Sequence, residues 1–154
     1  MDIFLAGHIT ADKTPNGEEV LGGPVSFIGA ALAPFHNVTI ATIATPETPL
    51  LDDLTQLGIH VINLGRDEDE TTTFRNVYQN DGRVQFVDRV AGRFNRDHIP
   101  SLCDLAWGQH AVMLCPVADE IPSEVYEEIA LTNENIVSPI QGSLRRWGSD
   151  QRVH

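Results

Sequence analysis

The amino-acid sequence predicts an α/β fold, in which a partly parallel sheet carries flanking helices and a small β lid. Five runs rich in apolar and β-branched residues have the composition of buried parallel strands. They lie at 3–7, 38–43, 59–64, 111–114 and 135–138. Segments with helical spacing alternate with these runs, and repeated β-α-β units pair their strands in parallel with right-handed crossovers.

The first two predicted helices have recognisable ends. A helix over 24–33 begins at Pro24, because the N–H that proline lacks has no partner in a first helical turn anyway. A second helix covers 50–57, and Gly58 follows it as a typical residue just beyond a helix C-terminus.

The second half of the chain contains two more predicted helices. A short one is expected near Pro100, within a segment of mixed character. The other covers 123–131 and opens at Ser123, whose hydroxyl suits an N-cap.

Two hairpin-like segments interrupt the alternation and predict the lid. The first covers about 13–21, and the second covers about 71–88. Within the second, two strands are joined by Asn80-Asp81-Gly82, residue types that tolerate positive φ in tight turns. We expect both hairpins to form a separate small sheet that projects from the edge of the main one.

Composition indicates one domain over residues 1–154 with a core, since 42% of the residues are hydrophobic. A net charge of −12 argues against nucleic acid or an anionic membrane as a partner. The chain has no apolar run of membrane-spanning length and opens without a signal peptide, so a cytoplasmic protein is expected. Cys103 and Cys115 lack CxxC spacing, which favours reduced thiols and leaves a disulfide open.

A glycine pair, Gly22 and Gly23, closes the first hairpin and opens the first helix at Pro24. Bare backbone there lets a ligand approach, and the positive end of the helix dipole favours an oxygen-rich group. Asp12 follows the first strand, where ligands of open α/β sheets bind. Together these residues predict a site for a polyhydroxylated small molecule. The alternatives are a local turn for Asp12 and a purely conformational role for the glycines.

The six histidines show no metal-binding spacing, so no metal site is predicted. His8 alone lies near the predicted pocket, where it would bind a substrate hydroxyl or serve as an ordinary strand-end residue. The sequence contains neither a Walker A motif nor a GxGxxG motif.

Several segments, taken in order, resemble the ribokinase (PfkB) family of carbohydrate and nucleoside kinases. They are the strand that leads to Asp12, the Gly22-Gly23 helix start, the Thr-rich strand from Thr71, and the segments 112–121 and 137–145. The resemblance covers essentially the whole chain and implies a ribokinase-like fold. It also implies ATP-dependent phosphorylation of a hydroxyl on a sugar, cyclitol or nucleoside, with ATP and Mg²⁺ as cofactors of a complete enzyme.

The resemblance also suggests substrate-side residues. Glu120 stands near the place of an acidic substrate residue, with a helix-start role as the alternative. Phe27 stands about where many sugar kinases of the family carry an asparagine, which puts ribose or fructose specificity in doubt. Arg145 is a candidate phosphate-binding residue, and a surface salt bridge is its alternative role.

One departure from the family pattern bears on activity. The signature Asp-Thr-x-Gly-Ala-Gly-Asp, which supplies the anion hole and the catalytic base, does not occur in this sequence. We therefore expect the N-terminal, substrate-and-lid half of such a kinase, inactive alone and without a cofactor of its own. The alternative is a non-catalytic domain that binds a small polyol or a protein. A homodimer is also expected, because half of such a sheet exposes its last strand or its lid.

Overall fold

The computed structural model describes residues 1–79 and 82–154 and contains two sheets. The main sheet has five parallel strands in the order β5-β4-β1-β8-β9. These are β1 (Asp2–Ala6), β4 (Asn37–Thr42), β5 (His60–Asn63), β8 (Ala111–Leu114) and β9 (Ile136–Val137). The predicted partly parallel sheet with flanking helices is confirmed.

The central strand β1 is buried on both faces, which explains its unbroken apolar run. Ile3 and Leu5 join a core that includes residues of the first two helices, whereas Phe4 and Ala6 join a core on the opposite face. Helices therefore cover both sides of the sheet. They are α1 (Pro24–Leu32), α2 (Pro49–Gln56), α3 (Ile99–Ala106), α4 (Ser123–Thr132) and α5 (Gln141–Leu144).

The helix ends follow the sequence with two differences. Gly58 adopts φ 80° just after α2, as expected for a glycine at that position. The N-cap of α4 is Pro122, and Ser123 is the first helical residue, so the predicted Ser123 cap is wrong. The short helix α5 was not predicted, because four residues carry too little periodicity to identify a helix.

The lid is one four-stranded sheet in the order β3-β2-β6-β7. Its strands are β2 (Thr10–Lys13), β3 (Glu19–Gly22), β6 (Thr72–Gln79) and β7 (Gly82–Arg89). The two predicted hairpins combine because β2 pairs with β6 in parallel. The turn expected at 80–82 falls partly on residues 80 and 81, outside the described residues.

The position of Asp12 is corrected by the structure. The first strand of the main sheet ends at Ala6, and Asp12 lies in the lid strand β2, paired opposite Val20. Gly7 ends the main-sheet strand at a point where a side chain would collide with the Cys115 carbonyl. The chain therefore leaves the sheet early, and the first lid hairpin begins at residue 10 instead of 13.

The edge strands of the main sheet are β5 and β9, and β9 pairs only with β8 among the described strands. Of the two strands expected to be exposed, β8 is internal and β9 is an edge. Self-association through this edge stays a prediction. None of the helices in the described ranges combines the length and apolar character that a membrane span needs.

A buried carboxylate joins the two loops at the carboxyl end of the main sheet. Glu120 is fully buried, and Oε1 accepts the backbone N–H of His8 at 2.9 Å. Oε2 accepts the N–H groups of Val117 at 2.9 Å and Ala118 at 2.8 Å. Because buried N–H groups need acceptors, this one side chain fixes the loop after β1 against the loop after β8.

The His8 ring joins the main sheet to the lid. Nε2 donates to the Gly92 carbonyl at 2.9 Å, and Nδ1 lies 2.8 Å from the Thr72 hydroxyl, which also accepts the Ala91 N–H. A carbonyl only accepts, so the neutral ring donates from Nε2 and accepts at Nδ1. Burial lowers the pKa of His8, although the nearby Glu120 opposes that shift.

The Glu120 contacts predict a large loss of stability on a conservative change. Glu120→Gln keeps the shape but turns an NH₂ group toward backbone donors, so we expect a loss of about 3 kcal/mol in the free energy of unfolding. Urea denaturation followed by circular dichroism measures this. Glu124→Gln, at an exposed position of α4, is the matched control. Equal stability of the two variants would contradict the assigned role.

The buried His8 predicts acid-sensitive stability. Its folded pKa lies below the ordinary value of 6.5, so the unfolded chain takes up a proton more readily as the pH falls below that value. The free energy of unfolding should then fall by up to roughly 1.4 kcal/mol per pH unit from this group.

Urea titrations between pH 7.5 and pH 5.5 test this expectation. His8→Gln should show a shallower dependence on pH than the wild-type chain, whereas His60→Gln, at an exposed position, should keep the wild-type slope. An unchanged slope in His8→Gln would show that the pH dependence arises elsewhere.

Candidate functional site

A cavity of about 240 Å³ lies where the lid meets α1 and α5. We call it the lid pocket. Strand β2, the first turn of α1, the second lid hairpin and α5 all contribute to its wall. It is lined by Thr10, Asp12, Gly23, Pro24, Phe27, Phe74, Arg83, Gln85, Val117, Gln141 and Arg145.

Asp12 supplies the carboxylate of the lid pocket. Its Oδ1 accepts the Thr10 hydroxyl at 3.1 Å, a contact between two residues on the same face of β2. Partial burial raises the pKa of Asp12, while the Thr10 hydrogen bond and the positive charges of Arg145 and Arg83 lower it. Because the Thr10 hydroxyl occupies only one acceptor position of the carboxylate, Asp12 can also accept a hydrogen bond from a ligand hydroxyl.

The two glycines leave room for the backbone and side chains around Asp12. A Cβ at Gly22 would lie 2.6 Å from the Thr10 hydroxyl and 2.8 Å from Asp12 Oδ1. Gly23 precedes α1 with φ 91°, and a Cβ there would lie 2.9 Å from the His8 carbonyl oxygen. Gly23 therefore requires glycine, since it combines a positive φ with a close backbone contact, whereas a side chain at Gly22 would displace the Thr10 and Asp12 side chains. Gly23 lines the pocket, whereas Gly22 lies beside Asp12 and is not among the lining residues.

Aromatic rings form the apolar part of the wall. Phe27 lies in the first turn of α1 and remains 63% exposed, while Phe74 of β6 is buried. An exposed phenylalanine beside a polar pocket gives a ligand ring an apolar face to pack on. Phe27, one of the predicted site residues, is among the residues that line the lid pocket.

Arg145 supplies a guanidinium to the same pocket. It donates to the Val117 carbonyl at 3.1 Å, and its charged carbon lies 5.1 Å from the centre of the Phe74 ring. Burial lowers the pKa of Arg145, Arg83 lowers it further, and Asp12 opposes the shift. Within residues 1–79 and 82–154 no direct ion pair joins Asp12 to Arg145.

The short helix α5 positions Arg145 and a second pocket residue, Gln141. Gly142 packs so closely against the Pro116 carbonyl that any side chain would overlap it. The Asp119 N–H donates to the Gly142 carbonyl at 3.1 Å, which fixes α5 against the loop after β8. Gln141 and Arg145 are four residues apart, so they share one face of the turn.

Sequence reasoning missed four polar residues of the pocket: Thr10, Arg83, Gln85 and Gln141. Two signals were available in the sequence. Thr10 and Asp12 alternate along one strand, as Arg83 and Gln85 do along another, and alternate residues of a strand face the same side. The spacing of Gln141 and Arg145 is helical.

Two predicted residues lie away from the pocket lining. The Glu120 carboxylate accepts hydrogen bonds from the backbone N–H groups of His8, Val117 and Ala118. Glu120 is therefore not a lining residue, but it fixes Val117, which is one. His8 is fully buried between Thr72 and Gly92 and is not among the lining residues either.

A larger cavity, of about 500 Å³, lies elsewhere, between the segment 93–99 and the start of α4. Two of its charged residues pair with neighbours: Arg93 with Asp119 at 4.0 Å, and Asp97 with Arg66 at 3.6 Å. None of the predicted site residues lines it. In the described part of the chain, no group of three or more His, Cys, Asp or Glu side chains could hold a metal ion.

The sequence matches no protein-family model and no curated protein, whereas solved structures match with high probability. A pyrophosphate-dependent kinase in the ribokinase family, complexed with a pyrophosphate analogue and myo-inositol, superposes with a TM-score of 0.76 at 21% identity. That match covers 98% of this chain and 53% of the kinase.

Two further kinases of known source are similar over the same fold. Ribokinase from Giardia lamblia has a TM-score of 0.64 at 15% identity, covering 89% of this chain and 49% of its own. Fructokinase from Halothermothrix orenii has a TM-score of 0.66 at 15% identity, covering 90% and 56%. The chain thus has the ribokinase-like fold and spans about half the length of the ribokinase-family kinases it matches.

Proposed function

We propose that the lid pocket binds a small polyhydroxylated acceptor, a cyclitol or sugar, as the acceptor-binding part of a ribokinase-type kinase. The observation that carries this proposal is that Asp12 and Arg145 line one pocket, and no direct ion pair joins them among the described residues. A polyol hydroxyl both donates and accepts, so it can bridge a carboxylate and a guanidinium.

The remaining lining residues suit the same ligand class. Gln85 and Gln141 offer amide groups for further hydroxyls, and Phe27 offers an apolar surface to the C–H face of a ring. The cavity of about 240 Å³ lies just below the range of roughly 300–1,000 Å³ that is typical of drug-sized ligands. A single six-membered ring is therefore a better fit than a nucleoside.

A structural neighbour supports the choice of acceptor. The kinase that superposes with a TM-score of 0.76 was solved with myo-inositol, and a ribokinase and a fructokinase share the fold. Identities of 13–22% support the fold and do not select one acceptor. The pocket chemistry favours a cyclitol such as myo-inositol, whose hydroxyls surround the whole ring.

The contribution of this chain is to bind, orient and shield the acceptor. A kinase of this kind also needs a phosphoryl donor, Mg²⁺ and a base for the attacking hydroxyl. The resemblance to the ribokinase family implies that ATP is the donor. The described residues hold no metal-ligating cluster, and the sequence lacks the family signature that supplies the base. The lid sheet would exclude water from the acceptor, which matters because hydrolysis competes with transfer.

The first test is acceptor binding. Asp12→Asn keeps the shape of the pocket and removes the charge that strengthens hydrogen bonds to hydroxyls. We expect isothermal titration calorimetry to show myo-inositol binding that weakens roughly tenfold or more in Asp12→Asn, as the loss of a charge-assisted bond predicts.

The control is Asp53→Asn, an exposed carboxylate on α2 whose loss should leave binding unchanged. Circular dichroism shows whether each variant is folded. Equal affinity of the Asp12→Asn and wild-type chains for myo-inositol would contradict an acceptor role for the carboxylate.

The second test is phosphoryl transfer. Without the signature glycines and base, transition-state stabilisation worth several kcal/mol is missing, so the 154-residue chain should release no acceptor-dependent ADP. A coupled assay with ATP and myo-inositol, ribose or fructose measures this. Acceptor-dependent ADP release that Asp12→Asn abolishes would contradict the expectation. Polyol binding without transfer also fits the alternative of a non-catalytic polyol-binding protein.

A further inference from the structure

A second cavity, of about 460 Å³, adjoins the lid pocket. We call it the outer cavity. The two share one wall, made by Arg83, Gln85, Gln141 and Arg145. On its far side the outer cavity is lined by Arg152 and His154. A ligand in the lid pocket that carries a substituent toward this wall would therefore meet the outer cavity.

The charge of the outer cavity is opposite to that of the molecule. The chain has 22 acidic and 10 basic residues and a net charge of −12. Three of those ten, Arg83, Arg145 and Arg152, line the outer cavity, and no aspartate or glutamate is among its described lining residues. Such a concentration of guanidinium groups in an acidic protein favours an anionic ligand.

The fold fixes the Arg145 side chain and the backbone positions of Arg83 and Arg152. Arg145 is fixed by the Val117 carbonyl and the Phe74 ring. Arg152 lies in a C-terminal segment that bridges to β7 at Phe86. Two backbone hydrogen bonds of 2.9 Å secure that bridge, from the Val87 N–H to the Gln151 carbonyl and from the Val153 N–H to the Gln85 carbonyl. Arg83 lies on β7 itself.

Two of these arginines, Arg83 and Arg145, lie close enough to repel each other. Burial lowers the pKa of Arg145, and the positive charge of Arg83 lowers it further. Asp12, which lines only the lid pocket, opposes that shift. An oxyanion between the guanidinium groups would replace repulsion by paired, forked hydrogen bonds, which planar guanidinium groups make well to phosphate.

We propose that the acceptor is a polyol phosphate, with its ring hydroxyls in the lid pocket at Asp12 and its phosphate in the outer cavity between Arg83, Arg145 and Arg152. This inference rests on the proposed function, since the ring must occupy the lid pocket. A phosphate monoester carries a charge near −1.5 to −2 at neutral pH, which matches several guanidinium groups. The outer cavity thus selects phosphorylated over neutral acceptors.

Calorimetry with three probes tests the inference: myo-inositol, a myo-inositol monophosphate and inorganic phosphate. The monophosphate should bind the wild-type chain roughly tenfold or more tightly than myo-inositol, since hydrogen bonds to charged groups are the stronger ones. That preference should shrink as the salt concentration rises, because salt screens exposed charges.

Three variants locate the effect. Arg83→Gln and Arg152→Gln should each reduce the preference for the monophosphate severalfold. Arg152 lines the outer cavity and not the lid pocket, so Arg152→Gln should leave the affinity for myo-inositol unchanged. Arg96→Gln removes the same charge outside both cavities and should leave all affinities unchanged.

The outcomes separate this inference from the proposed function. Equal binding of myo-inositol and its monophosphate, or a preference that both variants retain, would overturn the polyol phosphate and leave the acceptor pocket standing. Binding of inorganic phosphate that Arg83→Gln weakens, with no binding of either polyol, would support the anion site and contradict the acceptor pocket. No binding of any probe would overturn both.

Discussion

The hydrogen bonds of one buried carboxylate organise the site end of this molecule. Glu120 accepts the backbone N–H of His8 on one side and those of Val117 and Ala118 on the other. The loops after β1 and β8 carry N–H groups that no strand partner satisfies, and burying them unpaired would cost about 1–3 kcal/mol each. With those loops fixed, Val117 can hold Arg145, and the loop after β1 can direct the chain into the lid.

The lid pocket depends on that arrangement because its charged groups come from different layers. Asp12 belongs to the lid sheet, whereas Arg145 follows a short helix that packs on the loop after β8. His8 joins the layers through Thr72 at the base of the lid. Any movement of the lid relative to the main sheet would therefore change the distance from carboxylate to guanidinium, and the proposed acceptor binding would then depend on lid position.

Much of the fold could be predicted from the sequence because its signals are local. The apolar run of β1, Pro24 at the start of α1 and Gly58 after α2 each act within a few residues of themselves. The path of Asp12 could not be predicted in this way. It depends on Gly7 packing against the Cys115 carbonyl, a contact between residues more than a hundred positions apart.

The residues of the candidate site also differ in whether a local sequence signal could predict them. Local motifs in the sequence singled out four residues that line the lid pocket, namely Asp12, Gly23, Phe27 and Arg145. Their function as site residues stays a prediction. The structural role of Glu120 could not be predicted from the sequence. A carboxylate that accepts a hydrogen bond from a distant backbone N–H has the same sequence context as one that binds a ligand. Polar pockets built from separate strands and helices are therefore best predicted as sets of local motifs, and the buried groups that join them emerge only from the folded chain.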